Sequence, residues 1–422
     1  MNGKFRKYIT VVALGLAGSS IYFLPYIKYV FYDAQMEAMN INNLQSGLLL
    51  TMYTIGNMIL YVPGGILADK FSPKKSLIIS LLSTTGLVFL YAFTMNFKLA
   101  LGIWFFLSFS TAFVFWASLM KAIRMIADEK EQGFMYGLYY ACNGLSGALI
   151  QSVALLVSNQ SSDPIKGFSN ACIVGGIFTL VAGISLIFLL DDTMVGEKEA
   201  DTEEKFQFRD VKILLSQPIV WIVSLTILCG YGIYSSSTYF TPYLTNVVGI
   251  SSTYSGMATV LRSYVFMLLA PIGGIIADKV LHSTSKWLSI SFFLLAICYA
   301  GVLLLNEGTS SIVAVVYSLI PGAIGLMMYG VIFSVVSEAG VPRRMTGTII
   351  GLTSIIGYLP DFFYSPMFGR WIDRSGNAGY NKIFLFLAGS AFIGAILSLV
   401  IYKKSKKDVF DQEVVTPIQT EP

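Results

Sequence analysis

Residues 64–70 read Gly-Gly-Ile-Leu-Ala-Asp-Lys, and residues 273–279 read Gly-Gly-Ile-Ile-Ala-Asp-Lys. Each copy lies at the end of an apolar stretch that is long enough to cross a bilayer. A second pair of matching segments begins near Gly133 and near Gly347, and both pairs are offset by about 210 residues. The repeats therefore predict two related halves in the same orientation. Parallel repeats in a membrane protein place a binding site between the halves, near mid-membrane.

The composition is typical of a membrane protein. Of the 422 residues, 55% are hydrophobic and only 12% are charged, about half the charged fraction of an ordinary soluble domain. The sequence therefore predicts an all-α protein whose surroundings are a lipid bilayer. The formal net charge of +4 does not indicate nucleic-acid binding, because the basic residues lie in short loops where membrane topology explains them.

Residue types that support catalysis or metal binding are sparse. The four cysteines fall inside apolar runs without CxxC spacing, and His282 is the single histidine. A histidine-based metal site or acid–base dyad is therefore not expected. The sequence contains no GxxxxGK[ST] phosphate loop, which argues against direct use of ATP. We predict neither an enzyme nor a cofactor.

Twelve apolar runs are long enough to form transmembrane helices of about 20 residues. They cover residues 8–31, 43–68, 75–95, 99–123, 133–158, 168–190, 218–246, 253–277, 286–305, 311–337, 346–371 and 380–402. We group them into an N-terminal bundle of six helices (1–190), a cytoplasmic linker (191–217), a C-terminal bundle of six helices (218–402) and a cytoplasmic tail (403–422). The acidic linker is interpreted as a flexible tether, and the tail after Lys407 is expected to be disordered.

The distribution of lysine and arginine predicts the orientation of the chain. With the N-terminus placed in the cytoplasm, 21 of the 28 basic residues fall in cytoplasmic segments. This bias predicts a multi-pass protein of the cell membrane with both termini in the cytoplasm.

The first repeated segment resembles a known signature loop. Residues 65–75, which contain Asp69 and Lys70, resemble the loop between the second and third helices of the major facilitator superfamily. Residues 274–279 resemble its counterpart between helices eight and nine. Ser72 and Pro73 depart from the pattern, because the family usually has Gly and Arg there. The resemblance covers nearly the whole chain and implies two pseudo-symmetric bundles of six helices.

Three shorter stretches, at residues 21–25, 121–133 and 356–360, resemble the YihN-type branch of bacterial transporters within this superfamily. That branch is in turn distantly similar to the organophosphate antiporters and the nitrate porters. The resemblance implies a secondary transporter that works by alternating access.

The resemblance also implies a gate at the cytoplasmic ends of the helices. Asp69 with Lys70, and Asp278 with Lys279, would bridge the two halves while the cytoplasmic side is closed. Such a contact biases a two-state equilibrium by a few kcal/mol at most. The alternative interpretation is that these are helix-end charges that only set the topology.

Two ionisable residues fall near the middle of predicted spans. Insertion of a charge at mid-membrane costs at least about 2.5–3.5 kcal/mol. Because such residues are rare for that reason, Arg262 and Asp361 are the strongest candidates for a functional site. Arg262 offers a fixed positive charge to an anionic group. Asp361 either neutralises Arg262 or carries a coupling proton. Pro360, the residue before Asp361, cannot donate a backbone hydrogen bond and predicts a break in span eleven beside Gly357. The structural alternative is a permanent Arg262–Asp361 salt bridge within the second half.

Other polar residues are candidates for contact with a solute. Tyr22 and Tyr26 are four residues apart and would share one face of a helix, and Tyr234 lies in the polar seventh span. Lys121 faces either the inner cavity or, by snorkelling, the membrane interface. Lys28 is expected to lie at the outer interface, with a role in an outer vestibule as the alternative.

The sequence as a whole favours a secondary active transporter for a small polar, anionic organic solute, driven by a proton gradient or by exchange. We expect a monomer. Two alternatives stay open: an efflux pump for lipophilic compounds, with Arg262 and Asp361 locked together, and a non-transporting sensor or scaffold on the same fold.

Overall fold

The computed structural model describes residues 3–70, 72–113, 115–126, 132–190, 215–339 and 346–415. This part of the chain is helical throughout. Helices of the first half are α1 (Gly3–Ile21), α2 (Tyr32–Met39), α3 (Asn43–Lys70), α4 (Pro73–Thr94), α5 (Phe97–Ser108), α6 (Phe115–Ile126), α7 (Gln132–Ser158) and α8 (Pro164–Leu189). Those of the second half are α9 (Pro218–Ser236), α10 (Phe240–Asn246), α11 (Ser252–Ser263), α12 (Ala270–Ile275), α13 (Thr284–Gly301), α14 (Ser311–Tyr329), α15 (Thr346–Gly357), α16 (Pro360–Ser375) and α17 (Ala378–Val415).

Eight helical stretches of the described residues are long and apolar enough to cross a membrane. They correspond to the predicted spans three, five to ten and twelve. Span one consists of α1, which ends before Pro25, and a 3₁₀ turn at Ile27–Tyr29. Span four is α5 and α6 with a π-helical segment at Phe109–Phe113 between them. Irregular backbone at membrane depth is tolerated where it is enclosed by protein or lines a wet cavity.

Span eleven is broken where the sequence predicts it. Helix α15 ends at Gly357, and α16 begins at Pro360. Proline has no N–H to donate and clashes with the preceding turn, but it is well suited to the first position of a new helix. The prediction of a break beside Pro360 is therefore confirmed, and the break places Asp361 in the first turn of α16.

The predicted disorder after Lys407 is wrong for the residues up to Val415, because α17 continues to that residue. Extending an existing helix needs no new nucleus. The Lys residues at 403, 404, 406 and 407 also have good helix propensity.

The two halves are packed together at one end of the bundle. We call it the distal end, because it lies opposite the end that carries the chain termini. There α3 of the first half crosses α16 of the second half, and Thr51 Oγ1 donates to the carbonyl of Phe362 at 2.8 Å. Small residues permit the crossing: a Cβ atom on Gly47 would lie 2.6 Å from the backbone of Ser365 and Pro366.

Further hydrogen bonds join the halves on this side. Thr241 Oγ1 donates to the carbonyl of Tyr29 at 2.9 Å. Asn246 Nδ2 donates to Asp33 Oδ1 at 3.1 Å. The structure therefore shows the protein with its distal end closed.

Glu338 caps helix α13 from a neighbouring 3₁₀ segment. Its carboxylate accepts hydrogen bonds from the backbone N–H of Thr284 and of Ser285, the latter at 3.1 Å. We expect Glu338→Gln to lower the melting temperature of the purified protein, because caps of this kind contribute about 0.5–2 kcal/mol. Glu307→Gln in an exposed loop is the matched control. Equal melting temperatures for the two variants would contradict the expectation.

Candidate functional site

Asp361 lies at the centre of the bundle. Its side chain is only 6% exposed. Oδ2 accepts a hydrogen bond from the hydroxyl of Tyr231 on α9, whereas Oδ1 is buried without a hydrogen-bond partner. A buried carboxylate oxygen without a partner is costly, so this atom is available to a proton or to a bound molecule.

Lys28 lies beside Asp361 and is 3% exposed. Its ammonium donates to Ser365 Oγ at 2.6 Å and lies 5.9 Å and 5.7 Å from the ring centroids of Tyr32 and Tyr239. Lys28 and Asp361 also interact electrostatically. The expectation that Lys28 is interfacial is therefore wrong: the 3₁₀ turn after Pro25 places its side chain between the two halves.

Arg262 is a second buried cation among the described residues, with 1% of its surface exposed. One terminal nitrogen, Nη2, donates to Thr259 Oγ1 at 2.9 Å, and Nη1 approaches Ser318 Oγ at 3.4 Å. The guanidinium carbon lies 5.3 Å from the ring centroid of Phe240. Nε is buried without a hydrogen-bond partner.

Arg262 and Asp361 do not form the permanent salt bridge that was the structural alternative for these residues. Arg262 donates to hydroxyl groups on α11 and α14, and Asp361 accepts from Tyr231. The carboxylate instead shares its surroundings with Lys28. Arg262 therefore keeps a positive charge that hydroxyl groups solvate, and no carboxylate among the described residues contacts it directly.

A small enclosed pocket adjoins Arg262. Its lining comes from α9 and the turn that follows it, and from α11, α13 and α14. The residues are Ile233, Tyr234, Ser237, Ser263, Tyr299, Pro321, Gly322, Gly325 and Leu326. Gly322 makes room for the arginine, because a Cβ atom there would lie 2.2 Å from Arg262 Cγ. The pocket combines one cation with several hydroxyl groups beside apolar residues, and in this closed arrangement it has room for about one water molecule.

A chain of hydroxyl groups leads from Arg262 to the first half. Thr259 Oγ1, which accepts from Arg262, lies 2.5 Å from Thr241 Oγ1. Thr241 in turn donates to the carbonyl of Tyr29, next to Lys28 in the sequence. The pocket and the contact between the halves are therefore linked by hydrogen bonds.

The candidate tyrosines belong to two aromatic groups. The rings of Tyr22 and Tyr26 lie 6.3 Å apart, although α1 ends before both of them, and Tyr26 also packs against Tyr53 at 5.9 Å. Tyr234 stacks on Tyr329 with ring centroids 4.2 Å apart. Of the three predicted tyrosines, Tyr234 lines the Arg262 pocket.

The remaining candidates lie elsewhere. Lys121 is half-buried on α6, and Asp278 and Lys279 are exposed on a π-helical segment, Ile276–Val280. The side chains of Asp69 and Lys70 lie outside the described residues. The choice between cavity and interface for Lys121, and the gate roles, stay predictions.

Sequence reasoning did not assign roles to the hydroxyl residues around the two cations. Ser365 lies one turn after Asp361, and Thr259 lies one turn before Arg262. The sequence did contain a signal for these roles. A hydroxyl residue three or four positions from an intramembrane charge lies on the same face of the helix and can contact the groups around that charge.

An all-helical membrane protein with buried charges between two packed halves has an architecture that is typical of secondary transporters. The sequence profile of the Major Facilitator Superfamily matches residues 8–365, and the chain belongs to this superfamily. The predicted family, the all-α fold and the absence of an enzymatic role are thereby confirmed.

The chain is similar to two inner membrane proteins of Escherichia coli K12. It is 27% identical to YqcE over 94% of each chain, and 25% identical to YihN over 94% of this chain and 96% of the relative. It is also 22% identical to the probable sulfoacetate transporter SauU of Cupriavidus necator, over 90% and 91% of the two chains.

Solved structures show the same fold. A bacterial homologue of the human lysosomal transporter Spinster, in an inward-facing conformation, superposes with a TM-score of 0.72 at 14% identity, covering 94% of this chain and 96% of that one. The nucleoside transporter NupG gives a TM-score of 0.72 at 13% identity, covering 96% of this chain and 100% of that one.

Proposed function

We propose that this transporter moves a small polar, anionic organic solute across the cytoplasmic membrane, and that Arg262 binds its anionic group. The observation that carries the proposal is the state of Arg262: it is buried, one of its nitrogens has no partner, and hydroxyl groups rather than a carboxylate surround it. Burial of an unneutralised charge is expensive. A solute that brings the opposite charge offsets that cost.

The chemistry of one relative supports this solute class. SauU is named as a probable sulfoacetate transporter, and sulfoacetate is a small organic acid with a carboxylate and a sulfonate. A guanidinium group binds either group through paired hydrogen bonds. The pocket beside Arg262 adds the hydroxyl groups of Tyr234, Ser237 and Ser263 as further candidate donors.

Asp361 is the proposed coupling residue. Its free oxygen, its bond from Tyr231 and its proximity to Lys28 support a role in which the carboxylate gains and loses a proton during the cycle. Exchange of one solute for another is the alternative to proton coupling. The gate roles of Asp69, Lys70, Asp278 and Lys279, the cytoplasmic placement of both termini and the monomeric state belong to the same proposal.

The test is electrical. Purified protein is reconstituted in liposomes on a solid-supported membrane, and organic acids, sugar phosphates, nitrate and neutral sugars are applied in turn. We expect a current with one class of organic anion that is lost in Arg262→Ala. A current with neutral sugars only would overturn the proposal. Uptake of lipophilic compounds would favour the efflux pump, for which the predicted Arg262–Asp361 lock is not found.

A small substitution beside Arg262 should weaken binding without removing the charge. In Gly322→Ala the new Cβ would lie 2.2 Å from Cγ and 2.7 Å from Cδ of Arg262, so the guanidinium must move. Because a misplacement of about 1 Å costs up to 100-fold, we expect the apparent affinity for the transported anion to fall at least about tenfold.

Gly389→Ala in α17 is the matched control, since a Cβ atom there would meet nothing within 4 Å and the residue does not line the Arg262 pocket. Uptake measured over a range of anion concentrations compares the two variants. An equal loss of affinity in both would contradict a role for the position of Arg262.

A further inference from the structure

Asp373 connects the two halves at the distal end. It lies near the C-terminal end of α16 in the second half, and its carboxylate meets the start of α3 in the first half. Oδ1 accepts from the backbone N–H of Asn43 at 3.1 Å and from Asn43 Nδ2 at 2.7 Å, and Oδ2 accepts from the N–H of Leu44 at 2.9 Å.

These bonds complete the N-terminal cap of α3. The first four N–H groups of a helix have no partner within the helix. The N–H of Asn42 donates to Gln45 Oε1 at 3.0 Å, and the N–H of Gln45 donates to Asn42 Oδ1 at 2.9 Å. The two remaining groups, on Asn43 and Leu44, are satisfied by Asp373. The cap of one helix is thus divided between the two halves of the protein.

The charge of Asp373 also has no substitute within α3. The first turn of α3 contains no acidic residue, and a helix N-terminus is stabilised by a nearby negative charge. The second half supplies that charge only while the distal end is closed. When the halves separate there, the N–H groups of Asn43 and Leu44 lose these acceptors and must form hydrogen bonds with water instead.

The packing around Asp373 is equally specific to the closed arrangement. A Cβ atom on Gly369, one turn before Asp373, would lie 2.4 Å from the carbonyl oxygen of Asn43. The side chain of Asn43 accepts a hydrogen bond from the hydroxyl of Tyr32 at 2.9 Å. The ring of Tyr32 is one of the two that face the ammonium of Lys28. The capping contact is therefore continuous with the central charges.

We propose that Asp373 is a latch that holds the distal end closed and that must be released in each cycle. The proposal rests on alternating access, as in the proposed function, but it does not depend on the solute. Asp373 is a positioning residue: it touches no solute, and it acts by stabilising one of the two conformations. A contact that changes the equilibrium constant between the closed and open distal ends by about tenfold is sufficient to set which conformation predominates.

The test measures the distance between the halves at the distal end. Spin labels are attached at Glu37→Cys in α2 and Glu307→Cys in the loop after α13, both exposed positions, in protein whose four native cysteines are replaced by alanine or serine. Electron–electron double resonance in liposomes without solute then gives the populations of the short and long distances.

We expect Asp373→Ala to raise the ratio of open to closed distal ends about tenfold, and Asp373→Asn to give an intermediate increase because its amide oxygen still accepts one bond. The matched control is Asp163→Ala. Asp163 lies at the same end and accepts from the N–H groups of Ile165 and Lys166 at 2.9 Å and 3.4 Å, but this cap lies wholly within the first half.

Each outcome decides the proposal. Unchanged distances in Asp373→Ala would overturn the latch, and so would an equal shift in Asp163→Ala, since the effect would then be a general loss of helix stability. The distance measurement contains no solute, so it tests the latch alone. The anion proposal is tested separately, by the transport measurements.

Discussion

Replacement of Arg262 by alanine is expected to lower the rate of anion uptake at low anion concentration by about 100-fold or more. The loss of one partner of a buried, hydrogen-bonded charge pair typically costs 2–5 kcal/mol, and each 1.4 kcal/mol is a factor of ten. Arg262→Lys should retain part of the activity, because the charge is kept while the paired geometry of the guanidinium is lost. Uptake of the labelled anion into proteoliposomes measures both effects.

The control for Arg262 is Lys98→Ala, which removes an exposed cation and should leave uptake unchanged. All three variants must elute as folded protein in size-exclusion chromatography. If folded Arg262→Ala transports the anion as well as the wild type, Arg262 is a structural residue and the anion site lies elsewhere.

The second large effect is expected at Lys28 and Asp361. In Asp361→Asn, Lys28 loses the carboxylate that interacts with it electrostatically, and in Lys28→Met, Asp361 loses that cation. Each single change leaves a buried charge without compensation. For a pair in direct contact this lowers the free energy of unfolding by about 3–5 kcal/mol, and we expect a smaller loss here because Lys28 and Asp361 are not hydrogen-bonded to each other. We expect lower melting temperatures for both single variants and partial recovery in the double variant.

Transport distinguishes this pair from a purely structural one. Asp361→Asn, alone or combined with Lys28→Met, should take up the anion at a rate that no longer responds to an imposed proton gradient. Comparison of uptake with and without the gradient gives the answer. If the double variant keeps the full response to the gradient, another group carries the proton. If the two single decreases in melting temperature add up to the decrease in the double variant, the two charges are independent.

The sequence predicts the architecture well because the signals for it are local or periodic. The twelve apolar runs, the duplicated segment ending in Asp69 and Asp278, and the break at Pro360 are each visible within a few tens of residues. Arg262 and Asp361 stand out because charges in apolar runs are rare.

The contacts of those charges were not predictable in the same way. Ser365 is 337 residues from Lys28, and nothing local indicates that the two meet. A 3₁₀ turn of three residues decides whether Lys28 faces lipid headgroups or the protein interior, and turn geometry is poorly specified by apolar periodicity. A direct Arg262–Asp361 pair stayed open as an alternative because both residues lie at similar depth in the same half, and depth alone does not define which helix faces which.

The two buried cations differ in what a conformational change demands of them. Arg262 donates its hydrogen bonds to Ser318 and Thr259, which belong to its own half. These bonds can therefore stay intact when the two halves move relative to each other. Lys28 has its hydrogen bond on Ser365 of the opposite half, so it has to exchange partners whenever the halves separate there. We therefore expect substitutions at Lys28 to change the rate of the cycle more than its choice of solute.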